Sequence, residues 1–103
     1  MNEHELLQLS AKAAGIDLEY RRGSDAFYYD DPDSGREQWD PLSDDGQALR
    51  LAIKLGVSIV FMEDHDSVGA EHSAHGVMVI EAMDDFGTRR AIVRAAAEIG
   101  SRT

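Results

Sequence analysis

The sequence predicts an α+β domain, and three observations carry that expectation. Three segments repeat apolar residues at helical spacing and begin at capping residues. Short runs of branched and aromatic residues lie between them. Isolated glycines stand where the helices should stop. The expected order is α-β-β-α-β-β-α, a single domain over residues 1–103, with a mainly antiparallel sheet in a small three-layer α/β/α-type sandwich.

The first helix is expected from Glu3 to Ala14. Asn2 is its cap, Glu3 and Glu5 lie in the first turn, and Gly15 follows the last turn. Leu6, Leu9 and Ala13, widened by Leu7 and Ala14, form its apolar stripe. Ile16 to Arg22 and Ala26 to Asp30 read as two strands joined at Gly23-Ser24 by a two-residue II′ turn. Asp31 to Gln38 is turn chemistry without apolar period and reads as an exposed loop.

The second helix starts near Ser43, read as its cap, with Asp44 and Asp45 favourably placed at the positive end of the helix. Ala48, Leu51, Ala52 and Leu55 form its buried face, and Gly56 ends it. Val57 to Met62 has the composition of a central strand. Glu63 to Gly76 lacks any core period and reads as a mobile connection. Val77 to Ala82 returns to strand composition. Asp84 or Asp85 then caps a last helix, Phe86 to Ile99, with Ile92, Ala95, Ala96 and Ile99 inward and Gly100 closing it.

Composition narrows the function. Twenty acidic against ten basic residues give a net charge of -10, which opposes direct binding to nucleic acid or anionic membranes and favours basic partners. The absence of cysteine excludes disulfides and thiolate metal sites and fits a reducing compartment. The N-terminus lacks the basic and apolar regions of a signal, and no apolar run approaches the roughly 18 residues that span a bilayer. The expectation is a cytoplasmic protein. Carboxylates crowd between Asp25 and Asp45, whereas Arg89, Arg90, Arg94 and Arg102 gather near the end.

Candidate sites are few. Trp39, Asp40, Asp44 and Asp45 are the partner-binding candidates, because a tryptophan beside carboxylates is a suitable interface anchor. The competing reading makes them a helix junction, with Trp39 packed over the helix start and Pro41 fixing the approach. His65, His72, His75 and Asp64 have the residue types of a divalent-metal site, but His72-x-x-His75 is not the i, i+4 pair of a zinc-protease helix and no third ligand follows at a fixed spacing. A solvated polar loop is the favoured account of that segment. Arg89, Arg90 and Arg94 read as solvated helix charge, with Arg94 and Glu98 as an i, i+4 pair. No catalytic constellation, phosphate loop or cofactor motif is present.

Two stretches carry a resemblance: Trp39-Asp40-Pro41-Leu42-Ser43-Asp44-Asp45-Gly46-Gln47-Ala48-Leu49-Arg50-Leu51-Ala52-Ile53-Lys54-Leu55, and Arg89-Arg90-Ala91-Ile92-Val93-Arg94-Ala95-Ala96-Ala97-Glu98-Ile99-Gly100. Together they span roughly a third of the chain. In them the chain resembles a family of small uncharacterised proteins of tailed phages and prophages, and it is similar to the phage ABA sandwich domain. Members usually carry Trp-Asn-Pro where this chain has Trp39-Asp40-Pro41, and commonly an acidic residue at Gln47. The resemblance implies a phage or prophage origin, a host-cell cytoplasmic location and a sandwich architecture. It supplies no catalytic residue. The expected function is a non-enzymatic accessory protein that binds a host or phage macromolecule, with a protein as the partner. The alternatives are a small metal-assisted hydrolase using the His/Asp-rich loop and an acidic DNA mimic that inhibits a host nucleic-acid-binding protein.

Overall fold

Helix α1 (Glu3–Ala13) leads into a three-stranded antiparallel sheet, β1 (Glu19–Arg21), β2 (Ala26–Asp31) and β3 (Gly35–Gln38). Helix α2 (Asp45–Leu55) links it to a second antiparallel sheet, β4 (Ser58–Met62), β5 (Ser67–His72) and β6 (Val77–Ala82), and α3 (Asp85–Ser101) ends the chain. A computed structural model describes all residues, Met1–Thr103. The α+β class and helix-on-sheet layering agree with the sequence reading. The strand count differs: the order is α-β-β-β-α-β-β-β-α, with two sheets in place of one.

Both added strands lie in segments expected to be loops. In the first, Asp31 Oδ1 accepts the backbone N–H of Asp33 and of Ser34, which folds Pro32 to Ser34 into a tight turn. Gly35, at φ 83°, then redirects the chain into β3. Because β3 is a largely exposed edge strand, its side chains are polar and show no apolar period. It is held by the ladder and by cross-strand pairs such as Arg36 with Asp30.

The second correction is larger. The Glu63–Gly76 segment contains β5, the central strand of the second sheet, where Val68 and Ala70 are fully buried. Two hairpins of the same design flank it. Each has a three-residue 3₁₀ turn, Glu63–His65 or Ser73–His75, followed by one left-handed residue, Asp66 or Gly76. The turn at Gly23-Ser24 also differs. It spans Arg22 to Asp25, with Asp25 as the left-handed residue, so the two-residue II′ turn is not formed.

Helix α3 is the organising element. One side packs against β5 and β6, another against α2, and its longest contact is with α1. Burial on several sides explains why Ala91, Val93 and Ala97 are buried along with the expected Ile92, Ala95, Ala96 and Ile99. Small residues set the α1–α3 spacing. A methyl group on Gly100 would stand 2.0 Å from the Leu9 carbonyl oxygen, and fully buried Ser10 and Ala11 lie on the facing helix. The N-terminal sheet joins the same core through Phe27, Tyr29 and the following Trp39.

Candidate functional site

The junction from Trp39 to Gln47 is held from three directions. Trp39 is buried, meets Tyr29 edge-on and donates its indole N–H to the Leu7 carbonyl at 3.0 Å. Gln47 is also buried. Its amide oxygen accepts the Asp40 N–H at 2.6 Å, and its amide nitrogen donates to the Gln38 carbonyl at 2.7 Å. From α3, Arg89 Nε donates to the Leu42 carbonyl at 2.8 Å, while its Nη1 meets the Asp45 carboxylate at 2.7 Å. The Trp39–Leu55 stretch and the Arg89–Gly100 stretch therefore touch one another at Arg89.

This geometry corrects two expectations. The α2 cap is Asp44, whose Oδ1 accepts the Gln47 N–H, because Ser43 is occupied in the turn that follows Pro41. Trp39, with 4% of its surface exposed, anchors the interior and offers a partner no side chain. Asp44 and Asp45 both have structural work, as cap and as the partner of Arg89, and Asp40 is bonded through its backbone. The arginines differ too: Arg94 and Arg90 converge on Glu81 at 2.5 and 3.4 Å, so Arg94 does not pair with Glu98, which lies near Arg102.

Most carboxylates of the acidic stretch are similarly engaged. Asp25 accepts the Tyr20 hydroxyl at 2.5 Å and meets His4 at 3.0 Å, and the Tyr20 bond chiefly holds its pKa below the usual range while raising that of Tyr20. Arg36 bridges Glu19 and Asp30, and its hydrogen bond is the first cause of the lowered pKa of Glu19. Glu37 accepts the Tyr29 hydroxyl; burial first, and this contact second, push the tyrosine upward. The stretch is thus a set of local pairs more than a free row of negative charge.

The histidine candidates are not brought together. Asp64 and His65 sit in the turn before β5, whereas His72 is the last residue of β5 and His75 lies in the turn after it, about 20 Å away along a six-residue strand. No group of three His, Asp or Glu side chains has metal-binding geometry. His72 and His75 do meet edge-on, with ring centroids 4.6 Å apart, and His72 Nδ1 is buried without a hydrogen-bond partner. Glu71 alternates to the opposite face of the sheet and cannot join them.

A cleft of about 510 Å³ lies between α2 and the N-terminal sheet. Asp17, Asp30 and Asp31 line it together with Arg50 and Lys54. With carboxylates on one side and the two cations of α2 on the other, the cleft selects no single ligand charge.

The second sheet presents a clearer surface. Its register puts Val68, Ala70, Val77 and Val79 on the face against α3, and Val60, Met62, Gly69, Met78, Ile80 and Ala82 on the other. No element of the chain covers that outer face. Val60, Met78 and Ile80 are 40, 53 and 55% exposed. Met62 and Met78 arch over Gly69, within about 3.6 Å of where a methyl group would stand. Ser58, Ser67 and Glu71 share this face with them, and Glu71 is its only charged residue in a chain where 29% of residues are charged. Such a bare apolar sheet face normally marks an interaction surface.

One edge of this sheet continues the apolar surface. Strand β4 pairs with β5 alone, and beside its free edge Phe61, Leu49 and Ile53 are 59, 53 and 71% exposed. A groove of about 410 Å³ between β4, α2 and the start of α3 is lined by Leu49, Ile59, Phe61 and Ile92, with Asp45, Asp84 and Asp85 at its mouth.

No family model matches the chain, and no curated protein or solved structure matches it. No helix is long and apolar enough to cross a membrane.

The sequence alone does not reveal this outer face: Val60, Met62, Met78, Ile80 and Ala82 fall in expected strands, but the face forms only around the central β5, whose segment reads as a connection. A signal for that strand was present. Val68-Gly69-Ala70-Glu71 lies between two similar turn sequences, each with histidine one place before Asp66 or Gly76.

Proposed function

We propose that this is a non-enzymatic accessory protein of a phage or prophage that acts by binding a host or phage protein through the outer face of its second sheet. The observation that carries the reading is the uncovered surface formed by Val60, Met62, Met78, Ile80 and Ala82 over Gly69. Flexible methionines allow such a surface to adapt to the shape of an apposed chain. Glu63, Asp64 and Asp66 border one end of this sheet, and with a net charge of -10 they favour a partner whose apolar patch has a basic surround. The phage assignment rests on the Trp39–Leu55 and Arg89–Gly100 motifs.

The test compares the wild-type protein with Ile80→Lys as baits in lysate from infected host cells. Ile80 points outward, so the variant is expected to keep its circular dichroism spectrum and melting temperature. A specific partner retained by the wild type and lost by Ile80→Lys supports the reading. Capture that ignores the substitution, or no specific capture at all, overturns it.

A further inference from the structure

We infer that the free edge of β4 pairs antiparallel with β4 of a second copy of this chain, producing a twofold dimer with one continuous six-stranded sheet. The argument begins with the edge. An uncovered edge strand exposes a row of N–H and C=O groups, and proteins usually protect it with lysine, proline, a bulge or a short length. Val57 to Met62 contains no charge and no proline, and its five-residue ladder to β5 is unbroken by a bulge.

The strand is complementary to itself. A twofold axis at its central residue, Val60, places Val60 opposite Val60, Ile59 opposite Phe61 and Ser58 opposite Met62. Ile59 and Phe61 share the inner side of the sheet, so each copy's Phe61 would cover the Ile59 of the other. Leu49 lines the same groove, and Ile53 lies one helical turn further along α2. Phe61, Leu49 and Ile53 are among the most exposed apolar side chains of the molecule.

Charge does not oppose this occupant along the strand itself. Val57 to Met62 carries no charged residue, so two chains of net charge -10 would meet along an uncharged strand, with Glu63 and Asp64 only at its far ends.

The area is adequate as well. From their exposures, Leu49, Ile53, Val60 and Phe61 leave roughly 400 Å² of apolar surface in water, about half of what one partner of a stable dimer buries. The paired backbones and flanking side chains supply the remainder. The outer faces of the two sheets would then join into a single platform, doubling the surface described above.

The chain has no cysteine, so a single introduced thiol reports the axis directly. Val60→Cys is expected to cross-link to itself under mild oxidation at low micromolar concentration, at least tenfold faster than Ser24→Cys in the exposed turn of the other sheet. In sedimentation the wild type should have twice the chain mass of 11.3 kDa. Ile53→Lys and Phe61→Glu should each weaken association at least tenfold while keeping the circular dichroism spectrum. Ile80→Lys, on the far strand, should remain dimeric, which separates this inference from partner binding. A wild type that stays monomeric at several hundred micromolar, or equal cross-linking of Val60→Cys and Ser24→Cys, overturns the pairing.

Discussion

Replacing Gly100 with alanine adds one methyl group where α3 crosses α1. In an unobstructed helix that change stabilises, because alanine has a helix propensity about 1 kcal/mol better than glycine. Here the added carbon would stand 2.0 Å from the Leu9 carbonyl oxygen, 2.9 Å from its carbon and 3.3 Å from the Ala13 nitrogen. The obstacle is backbone, so no rotamer change relieves it. Restoring an ordinary contact requires the helices to part by more than about 1 Å, a gap that forfeits up to about half of each dispersion contact along the seam. That seam includes Ser10, Ala11 and Ala97, all 1% exposed or less. Overpacking of this kind costs about 1 to 3 kcal/mol, occasionally more. Because the obstacle is backbone the cost falls at the upper end of that range, and after the propensity gain is subtracted a net destabilisation of about 2 kcal/mol is expected, or a melting temperature lower by roughly 8 to 16 °C in a domain of this size. Guanidinium denaturation followed by circular dichroism measures it, with an unchanged m-value as evidence that only stability moved. Gly23→Ala is the control: nothing lies within 4 Å and the backbone is not left-handed there, so its effect should stay within about 0.5 kcal/mol. A Gly100→Ala protein as stable as the wild type would refute the close crossing of α1 and α3.

Three further outcomes are expected. Gln47→Ala strands the Asp40 N–H and the Gln38 carbonyl, and chemical denaturation should show a loss of about 2 kcal/mol; a loss below about 0.5 kcal/mol would mean the amide does not hold the junction. Asp66→Gly relieves a left-handed aspartate (φ 48°) and should raise stability by about 0.5 kcal/mol, whereas Gly76→Ala, in the equivalent place of the second hairpin, should lower it by about 1 kcal/mol; melting curves giving the same sign for both would contradict the shared hairpin design. Two backbone N–H groups hold the Asp31 pKa below its ordinary value. Its contribution is therefore complete above the unfolded carboxylate value, about pH 4, and is lost as pH falls through the lower folded value. Urea midpoints between pH 2 and 6 should fall less steeply for Asp31→Asn than for the wild type, although Glu19 and Asp25 keep some slope because theirs are lowered too.

Much of the fold was legible because it is local. Asn2 and Asp84 cap their helices through their own carbonyl or carboxylate oxygens, and left-handed Gly15 and Gly56 follow the ends of theirs. Strand β3 was hidden because a polar edge strand has no apolar period, and β5 because small residues and one outward glycine dilute its alternation. The cap of α2 shifted by one residue because Pro41 to Ser43 form a turn closed onto the Asp40 carbonyl, which leaves Asp44 to cap Gln47. For the candidate site the residue types were misleading. A lone tryptophan among carboxylates looks like an anchor until the Leu7 carbonyl is found at its indole nitrogen.

What the sequence determined by itself was the α+β class, the position of each helix and the acidic, cysteine-free character of the chain, all of which follow from propensity, capping and composition within a few residues. The tertiary structure decided the rest: which acids are free, that Arg89 joins two motifs 50 positions apart, that the histidines lie at opposite ends of a strand, and that one sheet face and the uncharged β4 edge are left uncovered. Those properties depend on which side of each strand faces α3. That choice is made by contacts between residues far apart in the chain, and no local pattern encodes it.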